Sequence, residues 1–288
     1  MPKHPSWIKV RIPTPAQSAG MAEMRDLLAR HDLETVCQGA QCPNAVECWS
    51  ARTATFMVLG DTCTRGCRFC DVPTGNPQGL VDEHEPQRLA AAVRELGLSY
   101  VVLTSVDRDD LVDGGAEAFA RVIDAIHDAT EHTTIEVLIP DFGGCHESLD
   151  CIVATKADVI GHNLETIRRL SPGLRDRRAG YDQSLDVLRY LANRSGERQI
   201  KSGLMVGLGE SLDELREAMA DLHAAGVSML TLGQYLQPSP SAVPVARFMP
   251  PEEFELLEAH ARTLGFATVV AGPLVRSSYH AAAAYNGT

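Results

Sequence analysis

Six of the eight cysteines in this 288-residue chain lie between Cys37 and Cys70, in two groups of three. Cys63, Cys67 and Cys70 form C-x3-C-x2-C, which packs three thiols into eight residues. Three thiolates converge on one centre only when the loop wraps around that centre. Such a loop can bind three irons of a [4Fe–4S] cluster and leave the fourth open to a ligand, as catalysis requires. A zinc site is the main structural alternative, although it normally requires a fourth protein ligand.

A second group, Cys37, Cys42 and Cys48, forms C-x4-C-x5-C upstream of the first. Taken alone, this spacing also fits zinc or three ordinary thiols. Clustered cysteines in a reducing compartment favour metal or redox chemistry over a disulfide framework. Cys145 and Cys151 stand apart and are predicted to be ordinary, partly buried thiols.

The formal net charge of −12 argues against a protein whose main task is to grip nucleic-acid phosphates, since such proteins present a basic face. No apolar run reaches the length of about 18 residues that a membrane span needs. The basic N-terminal residues are not followed by the apolar core of a secretory signal. We therefore expect a cytoplasmic protein without a nucleic-acid or membrane partner.

From about residue 54, strand-like and helix-like segments alternate six times. The strand candidates are short and apolar on both faces, as buried parallel strands are; they are Ala54–Leu59, Tyr100–Thr104, Ile135–Ile139, Val159–Gly161, Ile200–Val206 and Met229–Gly233. Helical stretches lie at 87–96, 117–130, 148–154, 184–194, 212–225 and 251–264. Six β-α units predict an α/β fold, a partial (β/α)6 TIM-like barrel, because the chain is too short for eight typical units.

The barrel is predicted to span residues 54–264. An N-terminal extension (1–53) carries the upstream cysteines, and a C-terminal tail (265–288) follows. The most unusual polar sequences come directly after the strands: DTCTRGCRFCD, TSVDRDD, PDFGG, HNLET, GLGES and QYLQPS. In a β/α barrel these positions meet at the mouth formed by the carboxyl ends of the strands, where active sites are built.

The cysteine loop, with Phe69 before its last cysteine and a barrel strand before its first, resembles the signature of the radical S-adenosylmethionine superfamily. The two cysteine spacings together resemble the lipoyl synthase family. The same resemblance runs in order through IKVRIP (8–13), CPNAVECWS (42–50), GDTCTRGCRFCDV (60–72), LTSVDRDDLVDGGA (103–116), IEVLIPDF (135–142), HNLETI (162–167), KSGLMVGLGE (201–210), TLGQYLQPS (231–239) and GPLVRSSYHA (272–281). CQGAQCP (37–43), PDFGG (140–144) and HNLETIRRLSP depart slightly from the family pattern without touching a cluster ligand.

This resemblance implies two [4Fe–4S] clusters and S-adenosylmethionine as cofactors. The first cysteine group would hold the cluster that binds S-adenosylmethionine at its open iron. The upstream group would hold an auxiliary cluster, with an oxygen ligand from Ser278 of the RSSY segment, or from Ser277 as the fallback. Without the family context, Ser278 would be read as a surface serine. The implied contacts to S-adenosylmethionine are Phe69, Thr104, Ser105, Asn163, Glu165, Lys201 and Gln234; each of the polar residues among them could instead be a satisfied structural group.

The implied activity is insertion of two sulfur atoms, at C6 and C8 of an octanoyl group on a lysine. The sulfur would come from the auxiliary cluster. The octanoyl group would be presented by a carrier domain, either the E2 subunit of a 2-oxoacid dehydrogenase or the glycine cleavage H protein. An electron donor and an iron–sulfur carrier protein are further implied partners.

Parts of the pattern also occur in other classes of protein. Two alternatives are other radical enzymes, a tRNA methylthiotransferase and a biotin-synthase-like sulfur inserter. The net negative charge of the chain argues against the first of these. The two cysteine spacings with RSSY count against both. A non-enzymatic zinc or iron–sulfur protein would leave the six polar mouth sequences unexplained.

Overall fold

The computed structural model describes residues 4–9, 13–33, 35–39, 42 and 44–287. Seven strands form one parallel sheet in chain order: β1 (Thr53–Val58), β2 (Tyr100–Ser105), β3 (Thr134–Leu138), β4 (Val159–Gly161), β5 (Gln199–Val206), β6 (Met229–Gln234) and β7 (Thr268–Gly272). Across the described ranges β7 does not pair with β1, so the barrel is open. The predicted partial α/β barrel and its six strands are confirmed.

One strand was not predicted. β7 lies inside segment 265–288, which we had assigned to the tail. Its residues, TVVAG, become a strand because they pair with β6, a contact between segments that the local pattern does not specify. The barrel also begins one residue earlier than expected, since β1 starts at Thr53.

The helices between the strands match the six predicted ones: α4 (Glu85–Leu96), α5 (Ala116–Ala129), α6 (His146–Val153), α8 (Tyr181–Arg194), α9 (Leu212–Ala224) and α10 (Pro251–Leu264). A short helix, α7 (Ser171–Leu174), follows β4. The start of α9 is fixed by a capping box, in which Glu214 N–H donates to Ser211 Oγ at 3.2 Å. Helix α4 ends at Gly97, whose left-handed backbone is the usual helix stop.

Before the barrel lie three helices that were not predicted: α1 (Pro15–Arg30), α2 (Val36–Gly39) and α3 (Ala45–Ser50). Helix α1 begins with a capping box between Thr14 and Gln17, a signal that was readable in the sequence. It packs against α3, and α3 packs against β1, so the N-terminal extension is fixed to the barrel.

Alternate residues of the sheet face opposite sides. Val101 and Leu103 of β2 join the buried core that includes the helices, whereas Tyr100 and Val102 face the concave side. There they contact Ala281 of the last helix, α11 (Ala281–Asn286). The C-terminal tail therefore lies inside the open barrel. Among the described residues, no helix has the length and apolar character needed to cross a membrane.

Candidate functional site

The C-x3-C-x2-C loop follows the carboxyl end of β1 and is closed by its own main chain. Cys63 N–H donates to Pro73 O at 2.8 Å, and Gly75 N–H donates to Cys63 O at 2.9 Å. A third bond ties the loop to another part of the mouth, since Arg68 N–H donates to Leu174 O at 2.7 Å. The loop is therefore held both at its ends and in its middle.

Each thiol of this loop accepts a backbone hydrogen bond. The donor–sulfur distances lie between 3.3 and 3.5 Å, from Arg65 N–H to Cys63, from Asp176 N–H to Cys67 and from Val72 N–H to Cys70. Such donors stabilise negative charge on sulfur, and hydrogen bonds of this kind tune iron–sulfur clusters. All three cysteines are unbridged. The donor set therefore fits three cluster-bound thiolates.

Burial raises the pKa of all three thiols, to about 11 for Cys67. The free thiols are therefore protonated at neutral pH, and binding of a cluster must release those protons. Within the described ranges, no three His, Cys, Asp or Glu side chains converge closely enough to hold a single metal ion. The fit to a cluster rests on the unbridged thiols and their N–H donors.

Of the upstream cysteines, Cys37 lies on α2, Cys48 lies on α3, and Cys42 lies between the two helices in sequence. Cys42 N–H donates to Cys37 O, and Cys48 N–H donates to Asn44 O, both at 3.0 Å. Burial raises the pKa of Cys37. Burial, followed by the neighbouring Cys37 and Cys42, raises the pKa of Cys48 to about 12. The three thiols are thus close enough to affect one another's charge, as ligands of one centre must be.

The C-terminal tail returns over this cysteine group. Asn44 Nδ2 donates to Leu274 O at 2.6 Å, although 230 residues separate the two in sequence. Glu47 Oε1 lies 3.4 Å from His280 Nε2. The His280 main chain also hydrogen-bonds the sulfur of Cys48, which lowers that thiol's pKa against the larger effect of burial. The structure therefore brings the RSSY segment to the upstream cysteines.

The two serines of that segment have different surroundings. Ser277 Oγ lies 3.4 Å from Asn163 Nδ2, which donates to it from the barrel mouth. No residue of the described chain hydrogen-bonds the Ser278 hydroxyl. Ser278 also stands two residues before His280, the residue that contacts Cys48. Ser277 is therefore engaged by the barrel mouth, whereas the Ser278 hydroxyl has no hydrogen-bond partner among the described residues.

Three of the predicted cofactor contacts lie on the cysteine loop (Phe69) or at the end of β2 (Thr104 and Ser105). The ring of Phe69 packs in an apolar cluster with Leu208 and Tyr235. The hydroxyls of Thr104 and Ser105 donate to main-chain carbonyls, to Leu138 O at 3.0 Å and to Val106 O at 2.9 Å respectively. Each hydroxyl can still accept a hydrogen bond from a ligand.

Asn163 and Glu165 follow β4 at the mouth. Burial raises the pKa of Glu165, and a hydrogen bond with Asn163 acts in the opposite direction. The backbone of Glu165 has a left-handed φ of +69°. It is held there by hydrogen bonds on both sides, from Glu165 N–H to Gly203 O at 3.0 Å and from Met205 N–H to Glu165 O at 2.9 Å. Residues held in such conformations concentrate at functional sites.

Lys201 and Gln234 already have protein partners. Lys201 Nζ contacts both carboxylate oxygens of Glu136, at 2.7 and 2.9 Å. The Gln234 amide bonds four main-chain groups, those of Val206, Tyr235, Arg247 and Met249. Contact of either side chain with a cofactor stays a prediction, and it would require some of these bonds to be exchanged.

Two groups of charged residues were missed by the sequence reasoning. Glu136 pairs with Lys201 and also accepts from Tyr100 OH at 2.7 Å, all inside the barrel. Arg65, between the first two cysteines of the loop, is buried among three aspartates. The sequence did contain a signal for each group. Glu136 is a charged residue within the apolar strand IEVLI, and two of the aspartates around Arg65 lie in the DRDD sequence after β2.

Comparison with known proteins agrees with this site. The Radical SAM superfamily matches residues 57–222, which include the whole C-x3-C-x2-C loop. A lipoyl synthase from Thermus thermophilus is 53% identical to this chain over 278 residues, covering 96% of this chain and 85% of that relative. A lipoyl synthase from Pyrobaculum arsenaticum is 51% identical over 279 residues, covering 96% of this chain and 93% of that relative.

Solved structures share the fold at low identity. The FeFe-hydrogenase maturase HydG from Carboxydothermus hydrogenoformans superposes with a TM-score of 0.62 at 15% identity, covering 88% of this chain and 65% of that one. Methylornithine synthase superposes with a TM-score of 0.54 at 16% identity, covering 86% of this chain and 74% of that one. With the sequence identities above, the chain belongs to the lipoyl synthase family of radical S-adenosylmethionine sulfurtransferases, which use [4Fe–4S] clusters and S-adenosylmethionine.

Proposed function

We propose that the chain inserts two sulfur atoms, at C6 and C8 of an octanoyl-lysine on a carrier domain, to give the lipoyl group. The observation that carries this proposal is the return of the C-terminal tail to the upstream cysteines, through the bonds of Asn44 with Leu274 and of Glu47 with His280. In this proposal the returning tail would add a fourth, oxygen-bearing ligand to the group of three thiols. The tail contacts the upstream cysteine group through Asn44 and Glu47, and the two cysteine groups are therefore assigned different tasks in this proposal.

In this proposal Cys63, Cys67 and Cys70 hold the cluster that binds S-adenosylmethionine. When bound, the cluster and S-adenosylmethionine together supply a 5′-deoxyadenosyl radical, which can remove hydrogen from an unactivated carbon. Acid–base or nucleophilic groups cannot do this. The residues that would contact S-adenosylmethionine are Phe69, Thr104, Ser105, Asn163, Glu165, Lys201 and Gln234. Their task is to orient the cofactor and to exclude competing reactions.

Cys37, Cys42, Cys48 and Ser278 would hold the auxiliary cluster, which supplies the sulfur atoms. A serine oxygen binds iron less firmly than a thiolate does, since soft thiolates suit iron–sulfur clusters better. Ser278 would therefore be the most weakly bound of the four ligands of that cluster. Arg276, which donates to Gln234 O and Val275 O at 3.2 and 2.7 Å, would keep the tail in place.

The boundaries expected from sequence were 1–53 for the auxiliary-cluster extension, 54–264 for the barrel and 265–288 for the tail. In the proposed organisation the barrel also includes Thr53 of β1 and all of β7, so the tail begins after Gly272. The substrate would be the octanoylated E2 subunit of a 2-oxoacid dehydrogenase or the glycine cleavage H protein. An electron donor and an iron–sulfur carrier protein would serve the clusters. We place the activity in the cytoplasm, because free thiols that bind iron require a reducing compartment.

The proposal is tested anaerobically. The protein is reconstituted with iron and sulfide, then mixed with dithionite, S-adenosylmethionine and an octanoyl-lysyl peptide, and the peptide is followed by mass spectrometry. The expected product carries two added sulfur atoms. Cleavage of S-adenosylmethionine with an unchanged peptide would contradict the proposed substrate, and a fully loaded protein that cleaves nothing would contradict the proposed chemistry.

A further inference from the structure

A positive charge is buried inside the C-x3-C-x2-C loop. The guanidinium of Arg65 is only 2% exposed, although it lies on a short loop at the barrel mouth. Its Nη1 contacts Asp141 Oδ2 at 2.8 Å and Asp107 Oδ1 at 3.2 Å, and its Nη2 contacts Asp109 Oδ1 at 2.7 Å. A single side chain of the cysteine loop therefore binds acids from the loops after β2 and β3.

A second arginine continues this network. Arg178 Nη1 contacts Asp109 Oδ2 at 3.1 Å, its Nε contacts Asp176 Oδ1 at 2.9 Å, and its Nη2 donates to Thr64 O at 2.6 Å. The other oxygen of Asp176 accepts from Gly66 N–H at 3.0 Å, while the Asp176 N–H bonds the Cys67 sulfur.

The network touches four consecutive residues of the cysteine loop, 64–67. Loops after three strands, β2, β3 and β4, supply the partners. The cysteine loop cannot shift relative to the barrel without breaking several charged hydrogen bonds at once. Its thiols are therefore positioned by the barrel and not by the loop alone.

Stability alone is a weak explanation for this arrangement. Removing a guanidinium and its carboxylates from water is costly, and well-packed apolar side chains often stabilise a core as well as or better than a buried ion pair does. The acids also differ in their surroundings. Asp141 is 1% exposed, and burial by itself would raise its pKa, but the hydrogen bond and charge of Arg65, with smaller contributions from His162 and Gly143 N–H, lower the pKa overall. Asp107 is turned toward the sulfur, with Oδ2 4.0 Å from Cys63 Sγ.

We propose that Arg65 is a positioning residue for the cysteine loop, and that Arg65 and Asp141 together set the electrostatic field in which the cluster on that loop is reduced. The inference rests on the proposed function, because it requires a cluster on Cys63, Cys67 and Cys70. In the reduction step the bound cluster gains one electron from the reductant, which is oxidised, and no covalent bond changes. The cluster becomes one unit more negative, so a nearby positive charge favours its reduction and a nearby negative charge opposes it.

The test measures the reduction potential of the full-length, reconstituted protein by titration with dithionite. Electron paramagnetic resonance identifies the relevant cluster as the one whose signal changes when S-adenosylmethionine is added. Asp141→Asn removes a negative charge, Arg65→Gln removes the positive charge, and Arg65→Lys keeps that charge with fewer hydrogen bonds. The control is Asp186→Asn, since Asp186 is 73% exposed and pairs only with Arg189 among the described residues.

We expect the reduction equilibrium of the cluster in Asp141→Asn to shift at least about tenfold toward the reduced form. In Arg65→Gln we expect a shift of at least about tenfold toward the oxidised form. A tenfold shift corresponds to about 59 mV for a one-electron couple. Arg65→Lys is expected to stay near wild type in potential but to bind less iron. If Asp141→Asn binds no cluster, the more exposed Asp109→Asn is expected to shift the equilibrium in the same direction.

Failure of the inference and failure of the proposed function would give different results. Charge-removing variants whose clusters keep the potential of the Asp186→Asn control, at full or partial loading, would overturn the inference and leave Arg65 a structural role only. A wild-type protein with loaded clusters and no signal that responds to S-adenosylmethionine would instead overturn the proposed function, and the inference with it.

Discussion

Gly233 of β6 lies directly against the main-chain carbonyl of Val275 in the tail, with no space between them for a methyl group. A Cβ at residue 233 would overlap the carbonyl oxygen of Val275. This close approach seats the tail on the concave face of the barrel, immediately before the RSSY segment. Glycine is required here by contact and not by backbone conformation, because only a hydrogen atom fits between strand and tail.

Gly233→Ala is therefore expected to displace the tail and to cost about 1–3 kcal/mol of unfolding free energy, as overpacking does. Urea denaturation of the apoprotein measures that loss, and limited proteolysis reports release of the tail. Gly173→Ala is the matched control, because nothing lies within 4 Å of a Cβ at that position. Equal stability and equal protease resistance in both variants would show that the tail does not depend on this contact.

Cys67→Ala is expected to abolish cleavage of S-adenosylmethionine and to leave iron for one cluster, because the mouth loop would lose one of its three thiols. Iron content and 5′-deoxyadenosine are the two measurements. Cys151→Ala serves as the control, since that partly buried thiol lies on α6, outside both cysteine groups. Persistent cleavage by Cys67→Ala would remove this loop from the cofactor site.

Cys42→Ala should separate cofactor cleavage from sulfur insertion. The mouth loop is intact in this variant, so 5′-deoxyadenosine is expected to form. No sulfur should enter the octanoyl-lysyl peptide, because the upstream group would hold only two thiols. Mass spectrometry measures the sulfur added to the peptide. Lipoyl product from this variant would mean that the sulfur has another source.

Ser278→Ala and Ser277→Ala form a matched pair that distinguishes the two serines. A direct ligand should matter at least as much as an outer contact, so Ser278→Ala is expected to lower sulfur insertion by about 10- to 100-fold or more while S-adenosylmethionine is still cleaved. Ser277→Ala should lose only the bond from Asn163 and retain insertion. The reverse ranking of the two variants would make Ser277 the ligand.

His162 predicts how the stability of the apoprotein depends on pH. Its Nδ1 donates to Ile139 O at 3.0 Å, and Nε2 lies 2.9 Å from Ser184 Oγ. Burial is the largest effect and lowers the pKa of His162 to about 4. The unfolded chain thus binds this proton more readily than the folded one, so stability should fall as the pH drops from about 6.5 to 4, by on the order of 3 kcal/mol in total.

Asp107 contributes in the opposite direction, since burial raises its pKa to about 6 and the folded form gains stability as it binds a proton. The effect of His162 is therefore read as a difference between two urea-denaturation series, wild type and His162→Gln, from pH 4 to 7. The wild-type protein should lose more stability on acidification than the variant does. Parallel curves would show that His162 binds its proton equally well in the folded and unfolded states, so that folding does not lower its pKa.

The local pattern of the chain determined much of this protein. Six strands and six helices follow from buried apolar runs and helical periodicity, which depend on neighbours in sequence, and the capping box of Ser211 and Glu214 is local too. The cysteine spacings also act locally, because a loop of eight residues constrains its own thiols. The family resemblance followed from these motifs and their order, and the measured identities confirmed it.

Only the tertiary structure decided what the tail does and what holds the cysteine loop. Asn44 and Leu274 meet across 230 residues, and no local preference of either residue predicts that bond. Arg65 could have been a solvated surface charge, since its burial depends on aspartates that β2 and β3 bring to the same edge of the sheet. Contacts between distant segments are fixed by the order of the strands in the open sheet and by the packing on its concave face, and a sequence read residue by residue does not contain that geometry.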